Sequence, residues 1–562
     1  MNSRFKKLAG CIVFMTAFLY LNATIITVPD DYLKIQEAIN AANAGDTIVV
    51  RPGTYFENLR IQNKDIVLTG TFFRTGQLSD INQTIIDGSS AANPNMSSTV
   101  SVIGGTADCV VQGFTVTGGG TLFSVNPTFS YLEGGGFYIS QSGATIQMNV
   151  ISNNKIYRQS PAFFNCGGAG IHTSYGAPRI YNNVITCNFS SYGAAIISNF
   201  SNLEFKNNLV YNNVSIPYLV GVAFGSPILL VGGATKIHNN TIVNNLCRGN
   251  AIATSGRAAG LLQWMGVCDA RNNIIYQNHQ SNGGPIYFYQ TTLATAAYNL
   301  VEGGYPGSGN IDENPFFVSE DFMTDNASKI VDAGDPSLVF NDPESSLSPG
   351  TAAFPSAGTT IADLGCYGGP GAALLPNPQI QRIHTLQNNI TFRPVLPDSI
   401  YQGDMLLHNL GNVPVTIDSI RLQSGAALTT AGDLNFLFLE SEIIQISLPK
   451  DYEAENDTLL IYSDNCQAEI LKIPVLLDKT SSVKDKSSNE KIHIYPNPAY
   501  EKLCVENAPE GAGQILDLRG KVLTSFFIGA APLHIIQIPE NATGIHIIRF
   551  SDGTCQKLFL SR

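Results

Sequence analysis

Charge is what this chain has least of. Asp, Glu, Lys and Arg make up 14% of its 562 residues, against roughly 25% in a typical soluble domain. The deficit is deepest in the middle, where Glu133, Glu204 and Asp269 are the only carboxylates between Gly120 and Leu300. That is thin supply for a polysaccharide hydrolase, which gathers carboxylates in pairs around one cleft. It is equally thin for a lyase, which needs a base and carboxylates that hold cations. A net charge of −12 and a pI of 5.1 argue against a nucleic-acid partner, which would need a basic face. Beyond Leu21 no apolar run is long enough to cross a bilayer. Trp264 is the only Trp, and the Cys spacings match no zinc pattern.

At the N-terminus Arg4, Lys6 and Lys7 precede an apolar run from Leu8 to Leu21 and the small residue Ala23. This is the pattern of a secretory signal peptide over residues 1–23. Cys11 stands near the start of the apolar run, most of which follows it, whereas a lipoprotein signal places its Cys after the run. Export permits disulfides. Cys166 with Cys187, or Cys247 with Cys268, could bridge neighbouring turns, or these side chains simply fill space in a core.

What the chain has in abundance is a returning phrase. Asn182-Asn183-Val184-Ile185 comes back as Asn207-Asn208-Leu209-Val210, Asn239-Asn240-Thr241-Ile242 and Asn272-Asn273-Ile274-Ile275, and Met148-Asn149-Val150-Ile151 leads the series. The steps are 34, 25, 32 and 33 residues, a period with insertions. A glycine-rich phrase falls inside each period, at Gly134 to Ile139, Gly167 to Ile171, Gly193 to Ile197, Gly249 to Ile252 and Gly283 to Ile286. Each period predicts two or three short strands broken by Asn and Gly, residues that tolerate left-handed turns. No period can bury its own apolar face. Stacked coils can, and stacked Asn side chains would then satisfy one another's amides.

The phrase resembles the generic repeat of pectate-lyase-like proteins, and the resemblance implies a right-handed parallel β-helix, within an all-β chain, over residues 24–375. Ile35, Ala38, Ile39 and Ala42 fall at helical spacing within residues 31–43 and predict one amphipathic helix ended at Gly45, placed to plug the first coil. Together with Gly45 to Tyr55 it resembles the capped opening turn of secreted β-helix proteins. Val331 to Pro336 and Asp363 to Pro370 are loop-like and resemble the closing segment of bacterial surface β-helices.

From 380 to 478, strand-like runs such as Met405 to Asn409, Val415 to Ile417 and Thr458 to Tyr462 recur at the spacing of an immunoglobulin-like β-sandwich. Residues 479–491 have the composition of a polar linker. The tail, 492–562, carries Ile492-His493-Ile494-Tyr495-Pro496-Asn497-Pro498, then Ile515 to Val522, then Gly544 to Arg549 with Lys557 to Leu560. In that order these resemble the C-terminal sorting domain (type A) of the type IX secretion system of Bacteroidetes. His546 stands where an aromatic is commoner. The resemblance implies a small β-sandwich that addresses the protein to the outer cell surface through the periplasm, with the type IX machinery as partner.

Aligned on the Asn pair, the position three residues earlier is Arg179, Glu204, Lys236 and Asp269, alternating in sign from coil to coil. Rungs in register lie about 4.8 Å apart. The column therefore predicts a structural ladder of opposite charges that occupies two of the three scarce carboxylates. One step nearer the pair, Tyr181, Lys206, His238 and Arg271 should share the outward face, a column suited to stacking on sugar rings or pairing with acidic glycans, or else an ordinary solvated surface.

His172 and Arg158 could serve as base and cation only if the fold brought them together. Trp264 suits a carbohydrate platform or core filling, and Asp332 and Asp335 offer a structural calcium a short loop. No catalytic residue, metal centre or cofactor follows from these patterns. Expected instead is a secreted surface protein that binds glycans or cell-surface polysaccharide. The alternatives are a lyase-type or glycoside-hydrolase enzyme with its site on inserted loops, and a purely structural surface role.

Overall fold

The computed structural model describes residues 23–90, 98–120, 132–156, 166–216, 226–247, 258–280, 284–291, 293–394, 400–453, 456–463, 470–478, 492–495, 502–506, 508–516, 522–529, 533–538, 544–551 and 555–560. The signal-peptide residues 1–22, Arg158, the glycine phrase at 249–252, the linker 479–491 and the tail motif segments 496–498 and 517–521 lie outside them.

Short β-branched strands separated by left-handed turns can only pair with the next copy of themselves, and that is the architecture here. A parallel sheet of 10 strands, from Ile25–Val28 to Leu293–Ala297, forms one wall. A second of 9 strands runs from Gly53–Tyr55 to Leu300–Val301, and a third of 8 from Leu59–Gln62 to Gly284–Tyr289. The three walls enclose a column of apolar rungs. Val111, Ile146, Ile180, Phe205, Ile237 and Ala270 stack within it, each 0% exposed. This is a parallel β-helix. Its first turn is covered by the helix Ile35–Ala41, shorter than the expected 31–43 because the chain is already extended at Lys34 and Ala42. Ile35, Ala38, Ile39 and Ala42 are all buried, as the spacing requires.

The Asn pairs divide their work. The second Asn of each pair points inward and builds a ladder: Asn183 Nδ2 donates to Asn208 Oδ1 at 3.1 Å and to the carbonyls of Ile146 and Tyr181, and Asn208 repeats the pattern on Asn240. A second ladder, through Asn154, Asn188, Asn213, Asn245 and Asn278, runs at the next corner. The first Asn of each pair takes the left-handed conformation, with φ of 52°, 55°, 51° and 57° at Asn182, Asn207, Asn239 and Asn272. Its amide faces outward.

Those outward amides hold the closing segment. The chain leaves the last coil and returns along the corner as a strap. Asn272 Oδ1 accepts the Asp335 N–H, Asn239 Nδ2 donates to Asp363 O, Asn207 Nδ2 to Cys366 O and Gly368 O, and Asn182 Nδ2 to Gly371 O. Beyond it, nine strands surround one core that includes Phe392, Met405, Ile417, Phe436 and Ile473. All pairings in this sheet are antiparallel except that of Ile390–Pro394 with Leu471–Leu477, as in a sandwich. The tail forms antiparallel sheets of 3 and 4 strands over a core of its own, with Leu503, Ile515, Ile548 and Leu558 inside and His546 buried.

Of the two bridges that spacing allowed, Cys247–Cys268 is not made. Cys247 stacks between Ser215 and Gln280 in a short sheet of 4 strands, whereas Cys268 stacks between Thr235 and Ala294 in the 10-stranded wall. Residues in different sheets never become vertical neighbours, and Cys268 remains a buried thiol. Cys187 is disulfide-bonded, with a partner outside the described side chains.

Candidate functional site

On the 10-stranded wall, pairing places Arg179 opposite Glu204, Glu204 opposite Lys236 and Lys236 opposite Asp269. The same register stacks Tyr181, Lys206, His238 and Arg271. The two columns interlock. Glu204 accepts from Lys236 at 3.0 Å, from Lys206 at 3.1 Å and from the Tyr181 hydroxyl. Asp269 accepts from Arg271 at 2.7 Å and lies 3.1 Å from His238 Nε2. Arg179 makes no ion pair with Glu204, whose oxygens are already taken.

Burial would raise both carboxyls, but hydrogen bonds overcome it. Tyr181, Lys236 and Lys206 hold Glu204 at about 2, and His238 and Arg271 hold Asp269 at about 2. Both groups are therefore ionised at neutral pH and engaged in ion pairs. General acid–base catalysis needs a group that titrates near the working pH, which neither supplies.

The lower half of the outward column lies beneath the strap. Arg271 reaches Asp335 at 2.5 Å, its guanidinium lies 5.9 Å from the Phe340 ring, and that ring meets His238 edge-on at 5.4 Å. His238 is 8% exposed, so it offers no free face to a ligand. Lys206, 5.7 Å from the Tyr181 ring centre, keeps 31% of its side chain in solvent. Asp335 also accepts from Ser337, and Asp332 from Thr359. The two loop carboxylates face different partners, and no cluster of three metal-binding side chains exists among the described residues.

Burial raises three other carboxyls toward neutrality. Burial, then the Asp363 charge, pushes Asp342 up to about 7; burial pushes Asp363 to about 6 and Glu302 to about 7. All three are turned toward main chain. Asp342 accepts from the N–H groups of Asp363 and Gly369, Asp363 from those of Asp332 and Ala357, and Glu302 from that of Gln277. They fold the strap and its root, and the sequence offered no periodicity by which to find them.

A cleft of about 580 Å³ opens at the last coil, with Arg271, Phe288, Tyr298, Tyr305 and the 306–308 loop along its walls and no carboxylate among its lining residues. Phe288 and Tyr305 meet edge to face at 5.9 Å. Elsewhere, His172 is 1% exposed and faces Tyr138 and Asn199, closed to substrate. Trp264 donates to Gln290 at 2.8 Å beside Tyr287 and Tyr289 on the outer face of the third wall.

No protein-family model and no curated protein matches the chain. Among solved structures, a pectin methylesterase in complex with a hexasaccharide aligns at 13% identity over 52% of this chain and 93% of its own, with a TM-score of 0.27. The secreted serine protease VesC from Vibrio cholerae aligns at 14% identity over 27% of this chain and 44% of its own, with a TM-score of 0.13. At these scores neither likeness transfers an activity. The class is defined by the strand topology: an all-β chain built on a parallel β-helix.

Proposed function

We propose that this is an exported surface protein whose β-helix binds or adheres to glycans without transforming them. The observation that carries the reading is the cleft at the last coil. Aromatic rings line it, the groups that stack on sugars, and no carboxylate is among its lining residues to serve as acid, base or nucleophile. Lys206 and Tyr181 extend the same wall upward as its solvent-facing portion. A glycan array run beside an assay for unsaturated uronate products tests it. Tyr298→Ala is expected to weaken binding roughly tenfold, the loss of one good stacking contact, and unchanged affinity would remove the cleft from the account.

Export follows the same reading. The leader would take the chain across the inner membrane, and the tail would serve as its type IX address at the cell surface. Deleting residues 492–562 is expected to leave folded protein in the periplasm. Normal arrival of the truncated chain on the cell exterior would overturn the sorting assignment.

A further inference from the structure

The seam between the β-helix and the sandwich contains a cluster of histidines that the glycan reading does not use. The short 4-stranded sheet turns Phe189, Val214 and Leu246 outward, and Leu410 and Leu386 of the sandwich close over them. In the next rung, beside Leu246, stands His279. Its ring stacks on that of His408 with centroids 4.0 Å apart and planes 25° apart. Opposite His408, across the antiparallel pair Ile383–His384 with Tyr401–Asn409, stands His384. His384 and His408 are 6% and 4% exposed, and His279 is half-buried.

The hydrogen bonds suit neutral rings. His384 Nδ1 lies 2.8 Å from the Thr385 nitrogen and 3.0 Å from the Thr385 carbonyl oxygen. His279 Nε2 lies 2.9 Å from Asn244 Oδ1, and His408 Nδ1 lies 2.7 Å from the Ser441 hydroxyl, with its Nε2 buried without a partner. Among the described residues, no carboxylate pairs with His279 or His408. The charges that act on His408 are those of His279 and His384. Arg382, the other cation in the seam, directs its guanidinium to Asn212 O. Glu440 and Glu442 flank Ser441 but accept from the Leu437 N–H and pair with Lys502. Other ties across the seam, among them Asn244 Nδ2 to Asn409 O at 2.8 Å, Tyr211 OH to Pro378 O at 3.4 Å, Asn412 Nδ2 to Glu320 O at 3.0 Å and the edge-to-face pair Phe322–Phe438, are indifferent to mild acid.

We propose that the stacked His279–His408 pair is an acid-operated latch: protonation puts two cations face to face in an apolar seam and releases the sandwich from the flank of the β-helix. The sign follows from linkage. Burial depresses both rings, His279 to about 4 and His408 well below the ordinary value, and in the released form both return toward the ordinary histidine value of about 6.5. Docking is therefore at full strength above about pH 6.5 and weakens as the pH falls, with the share of the loss due to His279 levelling off below about 4. The effector is the proton, and the switched element is the seam.

Hydroxyl-radical footprinting of the full chain, with the radical dose normalised, tests the latch. Between about pH 7 and about pH 5, labelling of the seam side chains Phe189, Leu246, Leu386 and Leu410 is expected to rise by roughly tenfold. Side chains inside each body, such as Phe205 and Phe392, are expected to stay protected. The double variant His279→Phe/His408→Phe, which keeps the stacked rings and removes the titration, is expected to show no such rise. Equal seam protection at both pH values in the unaltered chain would overturn the proposal, as would an undiminished acid response in the double variant. The unaltered chain decides the first question even if the variant does not fold.

Discussion

At the residue scale, what governs this molecule is which way an amide faces. Asn207 and Asn208 are neighbours with the same side chain, yet one ties down the strap and the other belongs to the buried ladder. Asn208 donates to Asn240, Ile180 and Lys206 while accepting from Asn183, so Asn208→Ala strands several buried groups and is expected to cost about 2–4 kcal/mol. Asn182→Ala removes one described bond, to Gly371 O, and is expected to cost about 1 kcal/mol. Chemical denaturation of the two variants checks the contrast, and equal losses would contradict the division of roles.

The inward ladder was legible in the sequence, because Asn pairs that return once per coil meet their own copies in the next rung. The outward role of the first Asn was not, because its partners lie 63 to 189 residues further along the chain. The same distance hid Arg271, whose link to Asp335 makes it part of the strap rather than a free cation on a binding face.

At the scale of elements, alternation along the strands predicted the register of the 10-stranded wall and so the stacking of Glu204 between Arg179 and Lys236. It could not say that His238 would lie under Phe340, since the closing segment has no periodicity to align. Nor could spacing identify the disulfide partners, because sequence distance does not reveal which wall a Cys occupies.

The strap also has a pH dependence of its own. Asp342 and Asp363 have carboxyls raised by burial, so their contribution is fully present below the ordinary carboxylate value, about 4, and is lost as the pH rises through about 6 to 7. Limited proteolysis of the strap is therefore expected to be slower at about pH 5 than at about pH 8. Asp342→Asn is expected to flatten the difference, and a strap cut faster in acid would contradict the assignment.

At the scale of the whole molecule, three bodies follow one another in the chain, each with its own apolar core. The β-helix was legible because one rule, a short strand followed by a left-handed turn, repeats often enough to read. How the sandwich docks was not legible, because the seam joins His279 and Leu246 to His408 and Leu410 across more than a hundred residues of unrelated pattern. Scarcity of charge acts at this scale too. Glu204 and Asp269 are locked into ion pairs, and Asp342, Asp363 and Glu302 into main-chain contacts, so no described carboxylate stands ready for bond cleavage in the cleft.

The most direct test of that account is to incubate the purified chain with the polysaccharides it retains and to measure both retention and product. The account predicts saturable retention that falls on Tyr298→Ala, with the polysaccharide recovered at its original length and with no unsaturated uronate or new reducing ends. Products that accumulate with time and in proportion to protein would contradict it.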